Sequence, residues 1–124
     1  MKRLRLEEML IFIVTLSAVV LSTALVAQAA DAEQGKKLYG QFCASCHGLS
    51  GKGDGAAAAA LNPKPRDHTD KEYMSKMSDA EMLKVIKDGG ASIGRSPLMP
   101  PWGASLKDEQ IQDIIAYVRT LCCN

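Results

Sequence analysis

Three residues with reactive side chains stand within five positions: Cys43, Cys46 and His47 in the run Cys43-Ala44-Ser45-Cys46-His47. Two thiols three positions apart share one side of a helical turn, and an imidazole follows directly. That spacing suits covalent attachment of a haem. Each thiol can add to one vinyl group of the same porphyrin, and the imidazole is then held beneath the iron. A zinc knuckle or a thioredoxin-like dithiol would use the same residue types.

A histidine-bound haem iron needs a partner on its other face. Met99 is the leading candidate, because it lies in the proline-stiffened run Pro97-Leu98-Met99-Pro100-Pro101-Trp102. A thioether is a weak, soft ligand that coordinates best when the backbone holds it in place, and His/Met ligation raises the reduction potential. Met74, Met77 and Met82 fall in or beside an amphipathic helix, where core packing is the commoner fate. His68, the only other histidine, would give bis-histidine ligation.

Those residues need a compartment and a scaffold. Lys2, Arg3 and Arg5 precede an apolar run from Met9 to Val26, followed by Ala27-Gln28-Ala29. This is the pattern of an export signal cut after Ala29, giving residues 1–29 as leader and 30–124 as one domain. The alternative is an uncleaved anchor over residues 9–26, about the length that spans a bilayer. Either way the globular part lies beyond the cytoplasmic membrane, with a periplasmic location expected. Three of the 15 basic and two of the 14 acidic residues lie in the leader, so the remainder balances at 12 and 12. A balanced domain lacks the basic footprint that nucleic acid requires.

Helical periodicity and turn residues predict an all-α domain. A first helix is expected from Asp31 to Phe42, with Leu38, Tyr39 and Phe42 on its apolar face. Gly35 inside it costs about 1 kcal/mol against alanine, which argues for a close helix crossing. Gly48 to Gly55 is a tight glycine-rich loop, and the alanines at 56 to 60 run from a loop into a short helix. Pro63 and Pro65 exclude regular structure between Asn62 and Arg66, and a short helix is expected over Asp70 to Met74. Ser78-Asp79-Ala80-Glu81 is a capping box, with Met77 and Met82 placed as a hydrophobic staple. Gly89-Gly90 supplies a left-handed stop. Ser105 or Asp108 is expected to cap a last helix whose face is Ile111, Ile114, Ile115, Val118 and Leu121.

With these motifs in order, the chain resembles the class I mono-haem cytochromes c, of the bacterial c551, c6 and c555 kind. The resemblance covers the whole region after the leader. It rests on Gly35-Lys36-Lys37-Leu38-Tyr39, Cys43 to Gly48, Gly51-Lys52-Gly53-Asp54-Gly55, Met99-Pro100-Pro101-Trp102 and the helix from Ile111 to Leu121. It implies a small cytochrome c fold of four to five helices around one haem c. That haem would be bound through Cys43 and Cys46, with His47 and Met99 as axial ligands. It also implies that Gly35 lets the last helix cross closely, with Tyr117 packed nearby. Many relatives carry a proline nine positions after the haem histidine whose carbonyl accepts the Nδ1–H; here that position is Ala56. Trp102 is expected at the haem edge, and Arg66 and Lys64 are candidates for the propionates. The implied function is one-electron transfer rather than catalysis, with membrane-bound or periplasmic oxidoreductases as partners. The alternatives are a haem subunit of a larger oxidoreductase, a haem peroxidase and a gas sensor. Cys122 and Cys123 fall outside the family pattern. They are expected as a vicinal disulfide, as a link in a dimer of an otherwise monomeric protein, or as frayed thiols.

Overall fold

The computed structural model describes residues 29–123 together with Arg5, Leu6, Glu8 and Met9. The rest of the apolar leader run, and with it the expectation of a signal or anchor, lies outside the described residues. Across residues 29–123, five α-helices and two short 3₁₀ turns make up the regular structure: α1 Ala32–Phe42, α2 Ala44–His47, α3 Lys71–Met74, α4 Asp79–Asp88 and α5 Asp108–Cys122. The 3₁₀ turns cover Ala58–Ala60 and Gly90–Ile93. No described helix is long and apolar enough to cross a membrane.

The crossing of α1 and α5 organises the domain. Asp31 starts α1 by accepting from the N–H groups of Glu33 and Gln34 at 2.9 and 3.1 Å, satisfying two of the helix's free donors. Its own N–H donates to the Asp113 carboxylate at 2.7 Å, which ties this helix start to the middle of α5. At the crossing, a Cβ on Gly35 would run into the Asp113 carbonyl, with Ile114 N at 3.0 Å. The absence of a side chain there is what allows the two backbones to touch. Leu38 and Tyr39 from α1 join Ile111, Ile114, Ile115 and Val118 from α5 in the buried core. Tyr117 packs edge-on against Tyr39, with ring centroids 5.2 Å apart.

The capping box at Ser78 is present: Glu81 N–H donates to Ser78 Oγ at 3.2 Å, and Ser78 N–H donates to the Glu81 carboxylate at 2.9 Å. Gly89 ends α4 with φ 84° and ψ 165°, a positive φ but a more open turn than the left-handed helical cap expected. The cap of α5 differs from both candidates, because Lys107 holds the N-cap position with extended backbone. Gln110 Oε1 accepts the Lys107 N–H at 3.0 Å. Asp108 is drawn instead to Lys87 Nζ, at 2.7 and 2.9 Å, and Ser105 is used in a turn closing on the Trp102 carbonyl. Arg119 of α5 donates to the carbonyls of Met74 and Met77 at 2.6 Å each and to Asp79, fastening α5 to the segment between α3 and α4.

Cys122 and Cys123 form a vicinal disulfide. Cys122 is the last residue of α5 and is buried, so the frayed-thiol expectation fails: α5 continues through that position because its side chain still faces the core. With the two sulfurs bonded to each other, neither links a second copy in this state.

Candidate haem site

Cys43 N–H closes the end of α1 on the Tyr39 carbonyl at 2.9 Å, and His47 N–H bonds to the Cys43 carbonyl at 2.9 Å. This turn brings both thiols and the imidazole to one wall of a cavity of about 340 Å³. The carbonyls at the end of α2 have no helical partners, so the glycine-rich loop returns to cap them. Gly53 N–H donates to His47 O at 2.8 Å, Gly55 to Cys46 O at 3.1 Å and Ala57 to Ser45 O at 2.9 Å.

His47 Nδ1 lies 3.0 Å from the Arg66 carbonyl oxygen. A carbonyl can only accept, so Nδ1 carries the proton and Nε2 keeps its lone pair for a metal. Ala56 therefore does not have the role expected of it. It is exposed, in the loop that turns back on α2. A Cβ on Gly53 would meet the Pro65 carbonyl, which shows how closely the segment through Pro65 and Arg66 follows that loop past His47. Burial holds the His47 pKa below the ordinary imidazole value, with the Arg66 bond opposing. Burial, and then the neighbouring Cys46, pushes the Cys43 thiol up to about 12. Both Cys43 and Cys46 are free thiols.

Met99 lines the same cavity from the loop after α4. Its carbonyl accepts from Gly90 N–H at 2.9 Å, while Trp102 and Gly103 N–H groups donate to Ile86 and Lys87 carbonyls at 2.9 Å each. These bonds dock the proline-rich loop against the end of α4. A Cβ on Gly90 would strike the Ser96 carbonyl and approach Met99 Cβ at 3.1 Å, so the loop folds over a position that only glycine leaves free. Met74, Met77 and Met82 also line the cavity, and Met74 and Met82 are core residues as well.

Trp102 does not line the cavity. Its ring packs edge-on against Phe42, with centroids 5.4 Å apart, and its backbone is held to Ile86. Arg66 lines the cavity and Lys64 does not. Arg66 lies over the Tyr73 ring at 3.9 Å and Arg95 at 5.7 Å, and both arginines border the cavity. Arg95 and Tyr73 were not singled out from the sequence, where each is an isolated residue with no motif around it. His68 also borders the cavity, stacked face to face on His47 with centroids 4.2 Å apart. Burial, then the nearby His47, drives its pKa down to about 3. Two imidazoles stacked in this way leave no room for an iron between them, so His68 is not placed as the opposite ligand.

The donor set fits a covalently held haem. One wall offers two free thiols and a ring nitrogen, another a soft sulfur, and the lining between them is largely apolar. The volume lies within the range of cofactor sites, about 300–1,000 Å³.

Comparison with known proteins points to c-type cytochromes. The family model described as "Cytochrome C oxidase, cbb3-type, subunit III" matches residues 30–118. Cytochrome c-554(547) of Halothiobacillus neapolitanus is 34% identical over 98 residues, which cover 75% of this chain and 99% of that protein. The cbb3-type cytochrome c oxidase subunit FixP of Bradyrhizobium diazoefficiens is 31% identical over 91 residues, 73% of this chain but only 28% of FixP. Among solved structures, the KustC0563 c-type cytochrome superposes with a TM-score of 0.59 at 27% identity, covering 71% of this chain and 96% of that one.

Proposed function

The chain belongs to the cytochrome c family described by the cbb3-type subunit III model, and from that premise we propose that it is an exported mono-haem carrier of single electrons. Cys43 and Cys46 would hold haem c through thioethers, and His47 and Met99 would ligate its iron. The observation that carries the ligand assignment is the shared cavity: His47, with Nδ1 already committed to the Arg66 carbonyl, and Met99 both line it. When bound, haem supplies a ferric/ferrous couple; the chain supplies its surroundings. The Arg66 carbonyl holds the His47 proton on Nδ1 and raises the basicity of Nε2. The bonds from Gly90, Trp102 and Gly103 hold the Met99 loop in place. The methionines and isoleucines of the lining would exclude water from the bound group. With both His47 and Met99 as ligands, the iron would have no position open to peroxide or gas, which favours a carrier over a peroxidase or sensor.

Export rests on the leader pattern and on the need to attach haem beyond the cytoplasmic membrane. The partners are redox proteins of that compartment or of the membrane facing it. A small free-standing cytochrome is supported by the match to cytochrome c-554(547) over nearly all of its length. The second reading, a haem subunit of a larger oxidoreductase, is supported by the match to FixP, over about a quarter of its length.

The test is a spectrum and one variant. The ferric protein shows a low-spin haem with the methionine–iron charge-transfer band. Met99→Ala abolishes that band, lowers the potential and lets carbon monoxide bind the ferrous form at neutral pH. Retention of the band in that variant removes Met99 as the ligand. Co-purification with an oxidase catalytic subunit at fixed stoichiometry selects the second reading over the first.

A further inference from the structure

The strongest unassigned feature is the histidine that stacks on the proposed ligand. His68 is held at three points. Its N–H donates to the Gly51 carbonyl at 2.6 Å. Its Nδ1 pairs with the Tyr39 hydroxyl at 3.1 Å. Its ring lies 17° from parallel to the His47 ring, with centroids 4.2 Å apart. The neighbouring turn is locked as well: the Asp67 carboxylate accepts from both the N–H and the hydroxyl of Thr69 at 2.7 Å. Tyr39 itself is almost fully buried and packs edge-on against both His68 and Tyr117. One short stretch, Arg66 to His68, thus gives His47 a hydrogen-bond acceptor for its edge and a flat wall for its face.

These two contacts do different things. A hydrogen bond to a carbonyl tolerates a broad range of angles. Alone, it fixes which nitrogen carries the proton and leaves the ring free to swing. An aromatic face in van der Waals contact removes that freedom on one side. The plane of an axial imidazole decides which iron d orbital its π system overlaps, so ring orientation belongs to the electronic structure of the centre.

We propose that His68 is a positioning residue that sets the plane of the His47 imidazole through its stacked face, with Gly51 holding the His68 backbone. The proposal rests on His47 being an axial ligand. Its test uses the ferric holoprotein. The hyperfine-shifted haem methyl resonances in the proton spectrum report the axial ligand planes, whereas mere loss of packing changes stability and leaves their pattern in place. His68→Leu fills similar volume without a flat face, and it changes the order or spread of the methyl shifts. His68→Phe restores the flat face without the Tyr39 bond, and it keeps the wild-type pattern. A wild-type pattern in His68→Leu overturns the proposal, as does a pattern in His68→Phe displaced as far as in His68→Leu. Should His68→Leu fail to retain haem, His68→Met is read in its place by the same criterion. The methionine–iron band, recorded on the same samples, checks ligation separately: its absence from the wild-type protein is a failure of the ligand assignment, not of the role of His68.

Discussion

Gly35 and Gly40 lie on the same helix, and the same substitution has opposite expected effects at the two positions. Alanine is favoured over glycine in a helix by about 1 kcal/mol. At Gly40 an added Cβ meets nothing within 4 Å, so Gly40→Ala realises that gain. At Gly35 the Cβ meets the carbonyl carbon and oxygen of Asp113, backbone atoms that cannot rotate aside. Relief requires α1 and α5 to move apart along the interface that buries Leu38, Tyr39, Ile111 and Ile114. Overpacking costs about 1–3 kcal/mol where side chains can adjust, and a backbone collision belongs at or above the upper end. After the helix-propensity gain, Gly35→Ala destabilises by roughly 2 kcal/mol or more. For a domain of this size, about 1 kcal/mol corresponds to 4–8 °C, so Tm falls by about 10 °C or more. Gly40→Ala raises it by a few degrees. Thermal unfolding of the ferric holoproteins, followed by far-ultraviolet circular dichroism and by haem absorbance, measures both. A Gly35→Ala variant as stable as wild type, or shifted in the same direction as Gly40→Ala, refutes the close-crossing argument.

Three other outcomes follow from single contacts. Arg119→Met removes both donors from the Met74 and Met77 carbonyls and costs about 2–4 kcal/mol in denaturant unfolding, whereas Asp79→Asn, which touches only the exposed ion pair, costs less than about 1 kcal/mol. Arg119→Lys does not rescue the loss, because an ammonium lacks the planar fork that reaches these acceptors together. Ser78→Ala destabilises by about 0.5–2 kcal/mol at neutral pH through loss of the cap. The Ser78 N–H and hydroxyl hold the Glu81 pKa below the usual carboxylate value, so the folded state binds fewer protons there than the unfolded state. Ser78→Ala keeps the N–H bond and loses the hydroxyl's share, which is present above the ordinary carboxylate pKa and is lost as pH falls through the folded value; the gap between variant and wild type therefore narrows in part in acid, and a gap that stays constant as Glu81 protonates contradicts it. Iodoacetamide, followed by mass spectrometry of the denatured holoprotein, adds no label before reduction and two after it, at Cys122 and Cys123; label before reduction shows that the vicinal pair is open.

The parts of the site that were legible in the sequence are the ones whose chemistry is local. Cys43, Cys46 and His47 share a helical turn, so spacing alone predicts that they face one way. The capping box at Ser78 is complete within four residues. Gly35 signals a crossing because glycine is costly inside a helix without a packing reason. The misplaced expectations share one physical cause: they concern backbone groups or surfaces that any residue could provide. The Arg66 carbonyl that meets His47 leaves no mark in residue type, since every residue has a carbonyl and only the path of the chain selects one. Lys107 holds the N-cap position of α5 although lysine has no acceptor: the Gln110 side chain accepts its N–H, and Asp108 pairs with Lys87.

The two proposed ligands are consequently held by different parts of the fold. His47 depends on the segment Arg66 to His68, which reaches it across a loop and is pinned through Gly51 and Tyr39. Met99 depends on the end of α4, through backbone bonds from Gly90, Trp102 and Gly103. The helix crossing at Gly35 supports Tyr39 and hence the first side directly, while the second side is docked on a helix tied to α5 by the Arg119–Asp79 and Lys87–Asp108 pairs. Loosening the end of α4 should therefore weaken the iron–sulfur bond before it disturbs the histidine. Loosening the segment at Arg66 should alter the histidine while methionine remains bound. The asymmetry matches the chemistry: a thioether is the weaker ligand and needs a stiff loop, whereas an imidazole binds strongly and needs its proton and plane fixed.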